Sequence, residues 1–308
     1  MTSHMGNMGN MGNMGNMGNM GNMGNLGNAD GGSAPLPERQ GLPLWAAQAE
    51  VINADGTTTK VQAGNPPADA SLADLPTLAA EWQAKDWGGQ WKAWLALDEF
   101  SNTGWRNITL ATTPPADRGP ELRELVRLMQ DERADALGEI VAQDVLYDRF
   151  AVFFLRPLRI TPASHPKTCT LLHVAGLIGL MATMHFKKKS DLARPSQYLP
   201  ALNPPVAVPG HPTFPSGHAA QSLLMAEFVL EAMTRSNTTA LAASWKPILH
   251  TIALRMGRNR EIAGLHFKSD STAGYELAQK LMAHIRTLFG ASPKKYLDEL
   301  FDDAKAEW

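Results

Sequence analysis

Residues 209–221 read PGHPTFPSGHAAQ and run directly into the apolar stretch SLLMAEFVLEAM. Ser216 is a favoured helix N-cap, and Gly217 allows close approach of the backbone. The apolar residues that follow, Leu223, Leu224, Phe228, Val229 and Met233, recur at helical spacing. The turn therefore predicts a helix N-terminus, where unpaired N–H groups and the positive end of the dipole suit an anion. Two side chains able to act on that anion, Ser216 and His218, lie in the same turn.

Two other stretches supply what such a turn lacks. KKKSDLARP carries Lys187 and Arg194, and REIAGLHFKSD carries Arg260, His266 and Asp270. Arginine offers a fixed fork of donors for two oxygens, and lysine adds a point charge. One histidine can attack phosphorus or bond a metal-oxo centre, while a second protonates a leaving oxygen near neutral pH. Asp270 follows His266 by four residues, so a helix beginning there would let the carboxylate accept from one ring nitrogen and sharpen the other. Each stretch alone has an ordinary structural explanation: a solvated charge run, an Arg-Pro helix end, a core histidine. Their joint occurrence points to an oxyanion site.

The three stretches, Lys187-x6-Arg194-Pro195, Pro215-Ser216-Gly217-His218 and Asn259-Arg260-x5-His266-x3-Asp270, resemble the signature of the type 2 phosphatidic acid phosphatase and vanadium-dependent haloperoxidase superfamily. The direct match covers residues 187–270, and Asn259 stands where the phosphatase signature has Ser. The resemblance implies that His266 is the nucleophile of a phosphatase, or the residue bonded to vanadium in a haloperoxidase. It implies that His218 is the general acid/base and that Asp270 orients His266. Lys187, Arg194, Ser216, the Gly217 amide and Arg260 would hold the oxyanion. The fold it implies is an all-α helical bundle of the acid phosphatase/vanadium haloperoxidase type.

Two reactions fit that signature. Only 21 residues separate Arg194 from Ser216 and 41 separate His218 from Arg260, a compactness similar to the acid phosphatases. This favours a metal-independent phosphomonoester hydrolase with no cofactor. His211, seven residues before His218, resembles the additional histidine of bromide-oxidising members. It is a candidate halide or supporting residue if the protein is instead a vanadate-dependent haloperoxidase oxidising bromide or iodide with hydrogen peroxide. A capping role in its loop is the ordinary reading of the same residue.

The elements that must position these groups read as helices. From residue 120 the pattern ELRELVRLMQDERADALGEIVAQDVL places Leu125, Leu128, Met129, Leu137 and Ile140 on one face, with a second helix over 145–157. Residues 168–186 hold 19 positions without a formal charge ahead of Lys187, Lys188 and Lys189. Length and flanking charge would suit a membrane span, but His173, His185 and the Thr and Gly content favour a buried core helix. Trp87, Trp91 and Trp94 recur at one helical face, which predicts core or a docking surface.

Composition bounds the rest. Twenty-eight Lys and Arg against 30 Asp and Glu exclude the basic excess of a nucleic-acid binder. The lone Cys169 permits no internal disulfide, and no export signal is recognisable. Residues 5–28 are seven copies of Met-Gly-Asn followed by Leu-Gly-Asn, a composition that predicts a disordered tail. The expected organisation is a disordered tail and linker over 1–44 and a Trp-rich helical or irregular region over 45–118 packing on the core. A catalytic helical bundle over 119–290 and a helical tail over 291–308 complete it. The expected partner is a small phosphorylated or oxyanion substrate. Neither nucleic acid nor membrane association is expected, and a homo-oligomer is compatible.

Overall fold

The computed structural model describes residues 49–52, 58–61, 88–144 and 147–308. The first two stretches belong to one compact unit and the last two to another. In the first, β1 (Ala49–Ile52) and β2 (Thr58–Val61) form an antiparallel hairpin with Ala49 opposite Val61 and Ile52 opposite Thr58. The sequence predicts helical or irregular chain there. The hairpin follows from β-branched Val51, Ile52, Thr58, Thr59 and Val61 on either side of an Asp-Gly pair. The predicted disordered tail over 1–44, with its Met-Gly-Asn repeat, and Trp87 lie outside the described residues.

From residue 88 every regular element described is helical, as predicted: α1 (Gly89–Ser101), α2 (Gly119–Asp131), α3 (Arg133–Ala142), α4 (Tyr147–Leu158), α5 (Pro166–Ser190), α6 (Pro195–Tyr198), α7 (Gly217–Arg235), α8 (Thr239–Ile262), α9 (Lys268–Arg286) and α10 (Tyr296–Ala304). α5 and α7 form the centre. α5 packs against α1, α4, α7 and α10, and α7 packs against α5, α8 and α9. Among the described residues α5 is the one helix long and apolar enough to cross a membrane, and 72% of its most apolar window is buried inside the bundle.

One sequence expectation is narrowed here and another corrected. Of core or docking surface, the structure excludes core for Trp91 and Trp94: they are 47% and 44% exposed, while α1 buries Ala93, Ala96 and Phe100. These three smaller or more apolar residues also stand at helical spacing, and their face is the one that closes on α5. The long helix expected from residue 120 breaks at Glu132, whose φ of −122° is outside the helical range. Arg133 then donates to the carbonyls of Leu202 (2.7 Å) and Ile262 (3.0 Å). The break leaves Leu137 exposed and brings Ile140 to a small core of Leu125, Leu128, Leu202, Ile262, Leu265 and Phe267.

The C-terminal segment is part of the main core, with Leu297, Leu300, Phe301 and Ala304 buried. Carboxylates fix both of its ends. Glu99 accepts from the Tyr296 and Leu297 N–H groups (3.1 Å each) at the start of α10. Glu307 accepts from the Lys167 and Thr168 N–H groups (2.7 Å each) at the start of α5. Each pairing answers orphan donors of a helix N-terminus with a negative charge.

Candidate active site

Helix ends converge on one spot. Lys187 lies in the last turn of α5 and Arg260 in the last turn of α8, where the dipole favours cations; Arg194 is the N-cap of α6. All three side chains are buried. Lys187 Nζ donates to the carbonyls of Pro212 (2.6 Å) and Thr213 (2.8 Å). Arg194 donates through Nε to the His211 carbonyl (3.1 Å), through Nη1 to the Leu265 carbonyl (3.0 Å) and through Nη2 to His211 Nδ1 (3.1 Å). Arg260 Nη2 donates to the Ile140 carbonyl (2.6 Å), Nη1 stands 3.5 Å from Asp144 Oδ1, and the buried Nε has no hydrogen-bond partner among the described residues.

Carbonyls satisfy these donors without cancelling their charge. The carboxylates that act on the three cations are Asp270, for Lys187 and Arg194, and Asp144, for Arg260. Positive charge is left over. Burial, with the nearby Arg194, pulls Lys187 down to about 7. Burial brings Arg194 and Arg260 down to about 10. A site that holds like charges out of water in this way is complementary to an anion.

The N-terminus of α7 supplies neutral donors. Ser216 is its buried N-cap, and its hydroxyl is a distant 3.5 Å from the Ala219 N–H. The first-turn N–H groups of Gly217 and His218 have no partner within the helix by its geometry. A Cβ on Gly217 would meet nothing nearer than Thr183 Cγ2 at 3.6 Å, so packing does not demand glycine there. Gly274 on α9 is different. A Cβ there would lie 2.5 Å from the Ser216 carbonyl oxygen and 2.9 Å from Ala219 Cβ. The missing side chain lets α9 cross tightly against the start of α7, and the Ser216 N–H donates to the Asp270 carbonyl at 2.9 Å.

His266 precedes α9 and is buried; Asp270 is in the first turn of that helix and fully buried. His266 Nδ1 stands 3.3 Å from Asp270 Oδ2 and 3.2 Å from Thr213 Oγ1. The same Oδ2 accepts from Thr213 Oγ1 (2.5 Å) and from the Phe267 N–H (2.9 Å), which caps the helix. Burial, then the charges of Arg194 and Lys187, hold His266 well below the usual imidazole range. Burial pushes the Asp270 carboxyl up against the lowering effect of its Thr213 and Phe267 donors. The predicted i, i+4 pairing of the two side chains is therefore present in the geometry.

His218 is half-buried at the start of α7, and its Nε2–H donates to the Gln143 carbonyl (2.8 Å) at the end of α3. Burial, followed by the charge of Arg260, lowers it to about 3. Such a value favours the neutral imidazole near pH 7. His211 is also half-buried. Burial and the adjacent Lys187 bring it down to about 4. Its carbonyl and ring both accept from Arg194, so its position in the structure is that of an arginine support.

All nine residues singled out in the sequence, Lys187, Arg194, His211, Ser216, Gly217, His218, Arg260, His266 and Asp270, meet at this junction. Sequence reasoning did not find Thr213, Gln143 or Gly274. Thr213 acts through both main chain and side chain, Gln143 through its carbonyl, and Gly274 through an absent side chain, so none has a chemical signature. The Asn259 departure is also resolved. Its Nδ2 donates to Glu139 Oε2 (2.9 Å) and Gln143 Oε1 (3.0 Å), so it fastens α8 to the segment that holds His218. Among the described residues no three His, Cys, Asp or Glu side chains gather to hold a metal ion.

No family model and no curated protein matches the chain. Among solved structures it is similar to the first transmembrane PAP2 type phosphatidylglycerolphosphate phosphatase from Bacillus subtilis. The identity is 14% and the TM-score 0.31, over 70% of this chain and 92% of that one.

Proposed function

We propose that this chain hydrolyses phosphate monoesters through a phosphohistidine formed on His266. The observation that carries this reading is the surplus of buried positive charge from Lys187, Arg194 and Arg260 beside a histidine oriented by a buried carboxylate. The three cations, the Ser216 hydroxyl and the α7 amides bind the phosphoryl oxygens, and the charge they supply is strongest where the transition state carries most. His266 Nε2 attacks phosphorus as the ester P–O bond breaks, and the alkoxide takes a proton delivered by His218. Water then attacks the phosphohistidine, gives a proton back to His218, and releases phosphate and free His266.

Burial and the charge of Arg260 disfavour a protonated His218, so the proton arrives with the substrate. A phosphate ester monoanion carries one, and its negative charge offsets the Arg260 field that holds His218 deprotonated. His218 passes that proton to the leaving oxygen.

The donor set also fits vanadate, the cofactor of the haloperoxidase alternative. The partnerless Arg260 Nε, the remaining N–H groups of Lys187 and Arg194 and the α7 amides would hold its oxygens, and His266 would bond it. When bound, vanadate supplies the activation of hydrogen peroxide for halide oxidation. His211, the residue that resembles that branch, is committed to Arg194, so the phosphohydrolase is the reading favoured here.

Release of p-nitrophenol from p-nitrophenyl phosphate, measured from pH 4 to 8 with and without orthovanadate, tests the proposal. Turnover that vanadate blocks supports it. A folded protein with no turnover, which oxidises bromide or iodide once loaded with vanadate, overturns it.

A further inference from the structure

We infer that Thr213 is the positioning residue that sets the tautomer of His266, a role that deepens the phosphohydrolase reading above. Thr213 lies two residues ahead of the Pro-Ser-Gly-His turn, and its side chain is fully buried. It touches three parts of the site. Its carbonyl accepts from Lys187 Nζ (2.8 Å), its hydroxyl stands 2.5 Å from Asp270 Oδ2, and the same hydroxyl stands 3.2 Å from His266 Nδ1. Its own N–H donates to the Leu192 carbonyl (2.9 Å), which fixes the strand of loop against the α5–α6 connection.

With Asp270 as the carboxylate, the proton count in this cluster has one solution. Asp270 Oδ2 then carries no proton and accepts from the Phe267 N–H. A hydroxyl oxygen 2.5 Å from a bare carboxyl oxygen must place its hydrogen between them, so the single Thr213 proton goes to Asp270. Thr213 Oγ1 then faces His266 with a lone pair. Both oxygens within reach of Nδ1, at 3.2 and 3.3 Å, are acceptors, so Nδ1 carries the ring proton of the neutral imidazole. Nε2 is left with the lone pair that attacks phosphorus. With Asp270 alone, a single contact at 3.3 Å would hold the ring. Thr213 makes the clamp two-sided and also keeps Asp270 in its accepting form.

The hydroxyl also separates charge from geometry. Thr213 holds Lys187 by its backbone, which a side-chain substitution leaves in place. Thr213→Val keeps the β-branched shape and removes only the hydroxyl. It therefore removes the clamp on Nδ1 and one of the donors that lower Asp270, while the phosphate-binding shell remains.

The test has two readouts on the full chain. In 15N-histidine-labelled protein, long-range proton–nitrogen correlation reports which ring nitrogen of His266 is protonated, with His266→Ala used for assignment. Steady-state kinetics on p-nitrophenyl phosphate across pH give kcat and KM. The expected result is an Nδ1–H, bare-Nε2 pattern in the wild type. In Thr213→Val this pattern should give way to a tautomer mixture, with kcat lower by about 10- to 100-fold and KM nearly unchanged. The acid limb of kcat should move to higher pH, because Asp270 loses a donor. Thr213→Ser, which restores the hydroxyl, should recover the tautomer and most of kcat. An Nε2–H pattern in the wild type overturns the inference. So does a folded Thr213→Val with unchanged tautomer and kcat. The wild-type spectrum decides even where the valine variant does not fold. If the Nδ1–H pattern is found in a protein that hydrolyses no phosphate ester, Thr213 keeps its role and the hydrolase reading falls.

Discussion

The N–H of Ser216 donates to the carbonyl oxygen of Asp270 at 2.9 Å, which joins the N-cap of α7 to the first turn of α9 beside His266. The proposed donors for the phosphoryl oxygens and the proposed nucleophile are thus tied by backbone. Gly274 permits that tie, since any Cβ there would be driven into the Ser216 carbonyl. Gly274→Ala should displace the two helices, lower stability by about 1–3 kcal/mol in urea unfolding and reduce turnover by about 100-fold. An alanine variant with wild-type stability and turnover would show that the crossing has slack.

Binding and chemistry should separate at His266. His266→Ala removes the nucleophile but leaves Lys187, Arg194 and Arg260, so turnover should vanish while orthophosphate still protects the fold. At about 100 times its Kd, a ligand specific for the native state adds about 2.7 kcal/mol. For a domain of this size that is a rise in melting temperature of roughly 5 °C or more. Arg260→Met should abolish that rise. Differential scanning fluorimetry with and without phosphate reads both variants, and a rise retained in Arg260→Met would place the anion elsewhere.

Anion affinity should weaken as pH rises through about 7. Burial and the neighbouring Arg194 lower Lys187 to that value, so the ammonium is present below it and lost above it. Sulfate is a suitable probe because its own charge does not change between pH 6 and 9. Its inhibition constant should be flat below the break and rise towards about tenfold per pH unit above it. A constant value across the range would mean that Lys187 is as protonated in the free site as in the occupied one, and that burial does not lower it into this range.

The leaving-group proton should be traceable to the substrate. His218 lies near 3, lowered by burial and by Arg260, so it is neutral throughout the working range. The monoanion of a phosphate ester, with a second pKa of about 6, should be the productive form, and kcat/KM should fall above that value. Across esters of different second pKa the break should follow the substrate. A break fixed at one pH would instead assign the proton to an enzyme group. His218→Ala should slow alkyl esters far more than p-nitrophenyl phosphate, whose leaving group needs no proton.

Much of this was legible in the sequence because the chemistry is carried by charged or ionisable side chains at fixed offsets. Lys187, Arg194, His218, Arg260, His266 and Asp270 announce themselves by type and spacing. The helices were legible by period, and α5 by its length and its internal histidines. What the sequence concealed acts through backbone or through absence. The carbonyls of Gln143 and Ile140 have no residue code, Gly274 is one glycine among 26, and Thr213 is an ordinary threonine until the fold sets it between Asp270 and His266. The tryptophan stripe left core and docking surface both open for a related reason. Trp91 and Trp94 have the right spacing for a core face, but Ala93, Ala96 and Phe100 share that spacing, and small residues allow the closer approach to α5.

Lys187, Arg194 and Arg260 are held chiefly by carbonyl oxygens, with Asp144 at 3.5 Å as the single carboxylate among the described residues within ion-pairing distance of them. Such a pocket recognises charge and tetrahedral shape before it recognises the organic group attached. On the proposed hydrolase reading, inorganic phosphate, released at the end of each cycle, meets the same donors as the ester and lacks only the leaving group. The rate of this protein in a living solution would then follow the ratio of ester to free phosphate, and a cell rich in phosphate would find it largely silent.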